Sequence, residues 1–212
     1  MLYFTLWPSG GGYVDLSQGW TALVDHGVAR EEMQLVIEMA FGNSRRLTRT
    51  EDGAAKLPLA LHGSYQREEI LAALGHANLT RPPSQLREGV LKADVNGRTV
   101  DAFFVTLNKS EAEYSPSTMY RDYPISPTLF HWESQSTTSV ASETGQRYLN
   151  GGSTVLLFVR RERKNEFGTA PYTYLGAATH VAHTGDRPIA ITWKLASPMP
   201  PDLYSETALA IG

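Results

Sequence analysis

The sequence predicts an α+β protein in which a helical N-terminal part joins a bent antiparallel sheet or a partly closed β-barrel. Three observations lead there. Apolar residues recur at helical spacing from Leu16 to Gly42 and again after Ser64. Beyond about residue 84 the chain breaks into runs rich in Val, Ile, Phe, Tyr and Thr, divided by turn residues. Asn96-Gly97 lies between two such runs and is the dipeptide that favours a two-residue hairpin turn.

In chain order, Leu2–Trp7 is closed by Pro8 and Gly10-Gly11-Gly12 and reads as a short strand or a flexible arm. From Leu16 the stripe Trp20, Leu23, Val24, Val28, Met33, Val36, Ile37, Met39, Ala40 and Phe41, with stops at Gly27 and Gly42, predicts two helices. The basic segment Arg45-Arg46-Leu47-Thr48-Arg49 follows as an exposed strand or turn. A further helix starts at Ser64 as N-cap, carries Glu68 and Glu69 in its first turn, buries Ile70, Leu71 and Leu74, and ends at Gly75. Strands are expected at Glu88–Lys92, Arg98–Leu107, Thr154–Arg160, Tyr172–His183 and Pro188–Leu195, with Ala93–Val100 folded back at the Asn-Gly turn. Lys109–Asn150 reads as one long loop, a kind of segment that usually carries function. The boundary falls near residue 84, giving a helical segment over 1–83 and a β-rich domain over 84–212.

Composition narrows the function. With 212 residues, 42% hydrophobic and 19% charged, the chain can build a core and is neither a disordered tail nor a coiled coil. The absence of cysteine removes disulfides, thiolate metal sites and cysteine nucleophiles, and fits a reducing compartment, so the cytoplasm is the expected location. No apolar run is long enough for a membrane span, and the first residues lack the pattern of a secretory signal. The net charge of −3 does not by itself suggest nucleic acid. Across Arg147–Lys194, however, seven basic residues stand against three acidic ones. That stripe reads either as a phosphate footprint or as a solvated hairpin tip around Arg160–Lys164.

No motif for hydrolysis or nucleotide phosphates is present: GxSxG, HExxH, a Walker loop and GxGxxG are all missing. Asp101 with Lys109 lacks the second carboxylate of a metal-dependent nuclease core. His180 and His183 fall on opposite faces of a regular strand, so they share a metal only if the strand bulges. The most unusual stretch is EYSPSTMYRDYPISPTLFHWESQ. It sets Tyr114, Tyr120, Tyr123, Phe130 and Trp132 beside Asp122, His131, Glu133 and Gln135, stiffened by Pro116, Pro124 and Pro127. Aromatic faces with adjacent carboxylates suit an unstacked base. The competing reading is packing under the sheet, which leads for Phe130 and Trp132 and stands level for Tyr120 and Tyr123.

The segments LPLALHGSYQREEILAALG, FFVTLNKSE, YSPSTMYRDYPISPTLFHWESQS, TGQRYLNGG, VLLFVRRERK, GTAPYTYLG and PIAITWKL occur in that order between about Lys56 and Leu203. They resemble the C-terminal domain, formerly of unknown function, of bacterial superfamily II helicases fused to phospholipase-D-type nucleases. The helicase ATP motifs and the nuclease HxK motif are absent, so the resemblance implies a non-enzymatic module without a cofactor. It implies a target-recognition domain, similar to SRA and PUA-like β-barrels, of a modification-dependent restriction system. Its partner is then duplex DNA carrying 5-methylcytosine or 5-hydroxymethylcytosine, and a helicase or nuclease of the same system is a second expected partner.

Under that reading Tyr120, Asp122, Tyr123, His131, Trp132 and Glu133 receive a flipped cytosine, while Lys109, Arg147, Arg160, Arg161, Arg163 and Lys164 hold backbone phosphates. Burial of one methyl contributes only about 0.8 kcal/mol by transfer, or roughly 1–2 kcal/mol with good packing, so discrimination of about tenfold is expected from it. Two other readings compete: a protein-interaction or regulatory domain of a helicase, and a hydrolase or nuclease built on His131, Glu133 or the His180/His183 pair.

Overall fold

The computed structural model describes residues 1–7, 10–43, 57–81, 83, 89–108, 122–166, 168–201, 203 and 204. The chain opens with a helix, α1 (Leu2–Leu6), where the sequence suggested a strand or an arm. Phe4 is buried, α1 packs on the later helix α4 (Arg67–Ala73), and the Thr5 hydroxyl donates to the Glu69 carboxylate. α2 (Leu16–Asp25) is capped by Asp15, whose carboxylate accepts from Gln18 N at 2.8 Å, and breaks at His26 before α3 (Gly27–Asn43). Gly27 therefore opens a helix rather than stopping one. The apolar stripe of these helices is largely exposed, with Leu16, Trp20, Val28, Leu35, Val36 and Met39 all on the surface.

Ser64 does not cap α4. Ser64–Tyr65 forms β1, paired with Thr173 and Tyr172, and Gln66 takes the cap position instead, its backbone N donating to Glu69 Oε2 at 2.7 Å. α4 then buries Ile70 and Leu71 completely, each contributing roughly 2 kcal/mol by transfer from water.

The main sheet uses β2 (Val90–Val95), β3 (Arg98–Thr106), β4 (Tyr123–Ser126), β5 (Leu129–Glu133), β6 (Thr154–Arg160), β9 (Tyr172–Thr184) and β10 (Ala190–Leu195). Their order is β2-β3-β6-β9-β10-β5-β4, with β1 beside β9; β7 (Lys164–Asn165) and β8 (Gly168–Thr169) form a separate small ladder. The β2–β3 hairpin turns at Asn96 and Gly97, both at positive φ (54° and 76°), as a type I′ turn requires. β3 and β6 run parallel, which demands a long crossover, and α5 (Glu143–Leu149) lies within it. All other neighbours in the sheet are antiparallel.

Beyond residue 121, the segment read as a loop holds β4, β5 and α5. Prolines obscured the strands, yet Pro124 is buried in β4, which ends the order of the sheet; an edge strand can accommodate a missing N–H. In β5 burial alternates, with Phe130 and Trp132 turned inward. Ser142 caps α5, its hydroxyl accepting from Gly145 N at 3.1 Å.

Each face of the sheet carries a core. One gathers Phe103, Phe130, Trp132, Tyr148, Leu157 and Trp193. The other packs Leu59, Ile70, Leu71 and Leu74 against Val100, Phe104, Leu156 and Phe158. The division drawn near residue 84 therefore runs through a shared core.

Candidate nucleic-acid interface

A cavity of about 650 Å³ opens at the C-terminal ends of β3 and β6. Its walls include Arg160, Arg161 and Lys164 together with Asn108, Asn165 and His62, and Glu162 is the acidic member of the lining. The parallel β3–β6 register builds this corner: Leu107 N donates to Arg160 O at 3.0 Å and Asn108 N to Arg161 O at 2.7 Å. Ser64 of β1, Pro200 and Leu203 also line it.

Arg160 is fixed, and among the described residues it makes no ion pair. Its guanidinium donates to Thr106 Oγ1 (3.0 Å) and Ala170 O (3.2 Å) and lies 4.4 Å over the Tyr172 ring, so its hydrogen-bond partners are uncharged oxygens. Nearby Arg67 lies over the Phe104 ring at 4.5 Å. Burial lowers its pKa, partly offset by Tyr172, and Arg160 lowers it further. Among the described residues, Arg67, Arg160, Arg161 and Lys164 thus gather at this end of β9 with Glu162 beside them. Arg163 is exposed on the adjoining turn, outside the cavity lining. Sequence reasoning missed His62, Asn108 and Asn165. The signal available for His62 was the His-Gly turn, where His62 adopts φ 63°.

Of the predicted base-binding residues, four come together. Tyr123 stacks on His131, with ring centroids 4.6 Å apart and planes at 25°, and Asp122 Oδ1 accepts from Glu133 N at 3.1 Å. All four are half-buried at the edge of the sheet. Trp132 is a correction. It is 5% exposed and stacks on Phe103 at 4.1 Å, with Tyr148 edge-on at 5.7 Å, so a base on that face would have to displace the core. Period-two alternation sends it to the face opposite His131.

Arg147 is a second correction. It forms a bidentate pair with Asp101, Nε to Oδ2 at 2.8 Å and Nη2 to Oδ1 at 3.1 Å. Asp101 is fully buried, and the hydrogen bonds from Arg147 to its carboxylate raise the arginine pKa. That guanidinium is committed to the interior rather than to phosphate. Lys109 and Tyr120 lie outside the described residues.

The two surfaces are separated along β9. Thr173 lines the cavity, while Ala182 pairs with Thr192, which in turn pairs with His131. A straight strand would put those two points roughly 30 Å apart.

His180 and His183 depart from the expected alternation. The β9–β10 register shifts between Thr192 and Trp193, and His180 Nε2 lies 3.2 Å from His183 Nδ1. Burial lowers the His180 pKa, and His183 adds to the effect. Among the described residues no helix is long and apolar enough to cross a membrane, and no group of three or more His, Cys, Asp or Glu is placed to hold a metal ion.

Comparison with known proteins gives one family and one related structure to report. The SRA domain of SUVH5, solved in complex with hemimethylated CG DNA, superposes with a TM-score of 0.39 at 14% identity, covering 74% of this chain and 99% of that one. No curated protein matches the chain. The family described as a domain of unknown function, DUF3427, matches residues 59–207. That span takes in both cores and is well over half of the sequence, and the chain therefore belongs to the DUF3427 family.

Proposed function

We propose that this protein is a non-catalytic DNA-recognition module for modified cytosine, 5-methylcytosine or 5-hydroxymethylcytosine, acting in a cytoplasmic restriction system. The observation that carries the reading is the cavity that collects Arg160, Arg161 and Lys164, three of the cations singled out for backbone phosphates, around an arginine whose partners among the described residues are neutral. The motif resemblance supplies the DNA target, and the Tyr123–His131 stack beside Asp122 and Glu133 supplies an aromatic and carboxylate surface for a flipped base. In this scheme phosphate contacts give affinity and the edge cluster gives selectivity.

The test is binding to duplexes that differ only in cytosine modification, over a salt series. Arg161→Ala and Lys164→Ala should weaken all duplexes alike and flatten the slope of log K against log salt by about 0.9 for each phosphate that is no longer neutralised. Tyr123→Ala should erase the preference with little change in that slope. Equal affinity for every duplex at all salt concentrations overturns the modified-base reading. A second reading, an interaction domain for a helicase or nuclease partner, is favoured by the exposed Trp20, Val28, Leu35, Val36 and Met39 of α2 and α3. It predicts no DNA retention at low salt.

A further inference from the structure

The pair His180 and His183 lies outside the DNA-binding reading. Three-residue spacing on a regular strand separates two side chains to opposite faces. Here Ala182 pairs with Thr192 and His180 with Trp193, so Val181 is the extra residue of a β-bulge. The bulge brings the imidazoles together, with nitrogens 3.2 Å apart and ring centroids 5.2 Å apart at a tilt of 43°.

Those distances fit convergence on a common ion. Two histidine nitrogens bound at about 2.0 Å in tetrahedral geometry stand roughly 3.3 Å apart, which puts their ring centroids about 5.2 Å apart. A straight hydrogen bond of the observed length would place the centroids at roughly 5.5 Å. Trp193, 1% exposed, meets the His180 ring edge-on at 6.4 Å and braces it from below, while His183 is exposed and open to solvent. We propose that His180 and His183 form a two-histidine site for a divalent transition-metal ion of the zinc, nickel and copper class. Water or an external ligand completes the shell, because the described residues offer no third His, Cys, Asp or Glu. The site is independent of the phosphate cavity and needs no DNA.

The experiment is calorimetric titration of the full chain with ZnCl2, without DNA. One ion per chain is expected, and His183→Ala and His180→Ala should each lower the affinity by about tenfold or more, with His131→Ala unchanged. His183 is exposed, so its variant should keep its circular dichroism spectrum. Imidazole NMR provides the second readout: of the six histidines, the resonances of His180 and His183 should respond together to Zn²⁺. Binding that persists in the double variant overturns the site. So does a pair that shares a proton but ignores added zinc.

Discussion

Removing the Arg147 side chain separates an internal role from a phosphate-binding one. Arg147→Ala leaves the Asp101 carboxylate, fully buried on β3, without the two short hydrogen bonds that hold it. The Arg147 side chain is itself only 12% exposed, so water cannot easily replace it. Glu143 approaches Arg147 at 3.7 Å but is 87% exposed, and its share is minor. Stranding one partner of a buried pair destabilises by about 3–5 kcal/mol. For a chain of this size each kcal/mol moves Tm by roughly 2–4 °C, so a fall of about 6–20 °C is expected. Urea unfolding followed by the fluorescence of buried Trp132 and Trp193 measures it directly. The double change Asp101→Leu with Arg147→Met should recover most of the stability, since the charge and its counter-charge leave together. An Arg147→Ala protein with unchanged Tm and abolished DNA affinity would refute the argument.

Other perturbations test separate parts of the structure. Trp132→Ala should cost about 3–5 kcal/mol in urea titration, because it empties a site stacked on Phe103. Gly145→Ala would drive a Cβ into Ser139 O, and a backbone oxygen cannot swing aside; a loss of about 3 kcal/mol or more is expected in thermal unfolding. For His76, burial first and Arg81 second hold the pKa below the usual histidine value. The unfolded chain then binds more protons, so stability from this group is present at pH 7 and above and declines as pH falls through about 6.5. His76→Gln should flatten the stability profile between about pH 7 and 5.

Local signals in the sequence were reliable where the structure depends on local rules. The Asn96-Gly97 turn needs two positive φ values, and the α4 stripe of Ile70, Leu71 and Leu74 needs one apolar face. Signals failed where the deciding partner is distant. Arg147 looked available for phosphate because Asp101, its partner, is 46 residues earlier. β4 and β5 looked like loop because Pro116, Pro124 and Pro127 punctuate the segment around them, whereas the strands are defined by pairing, β5 with β10 and β4 with β5. The His180/His183 approach depends on a register shift that no spacing rule contains. The clustering of Arg160, Arg161 and Lys164 was half visible as a basic run; the cavity they line also needs β1 and the chain near Leu203.

β9 supports one candidate surface near each of its ends, with Thr173 in the cavity wall and Ala182 in the row that leads to His131. Because side chains alternate along a strand, inserting or deleting one residue in its middle would reverse the phase of everything beyond that point unless a bulge absorbed it, as one absorbs Val181 here. Length variation among relatives should therefore concentrate in the connections outside it, around 161–171 and 185–189, and between the two surfaces it should occur only as such bulges.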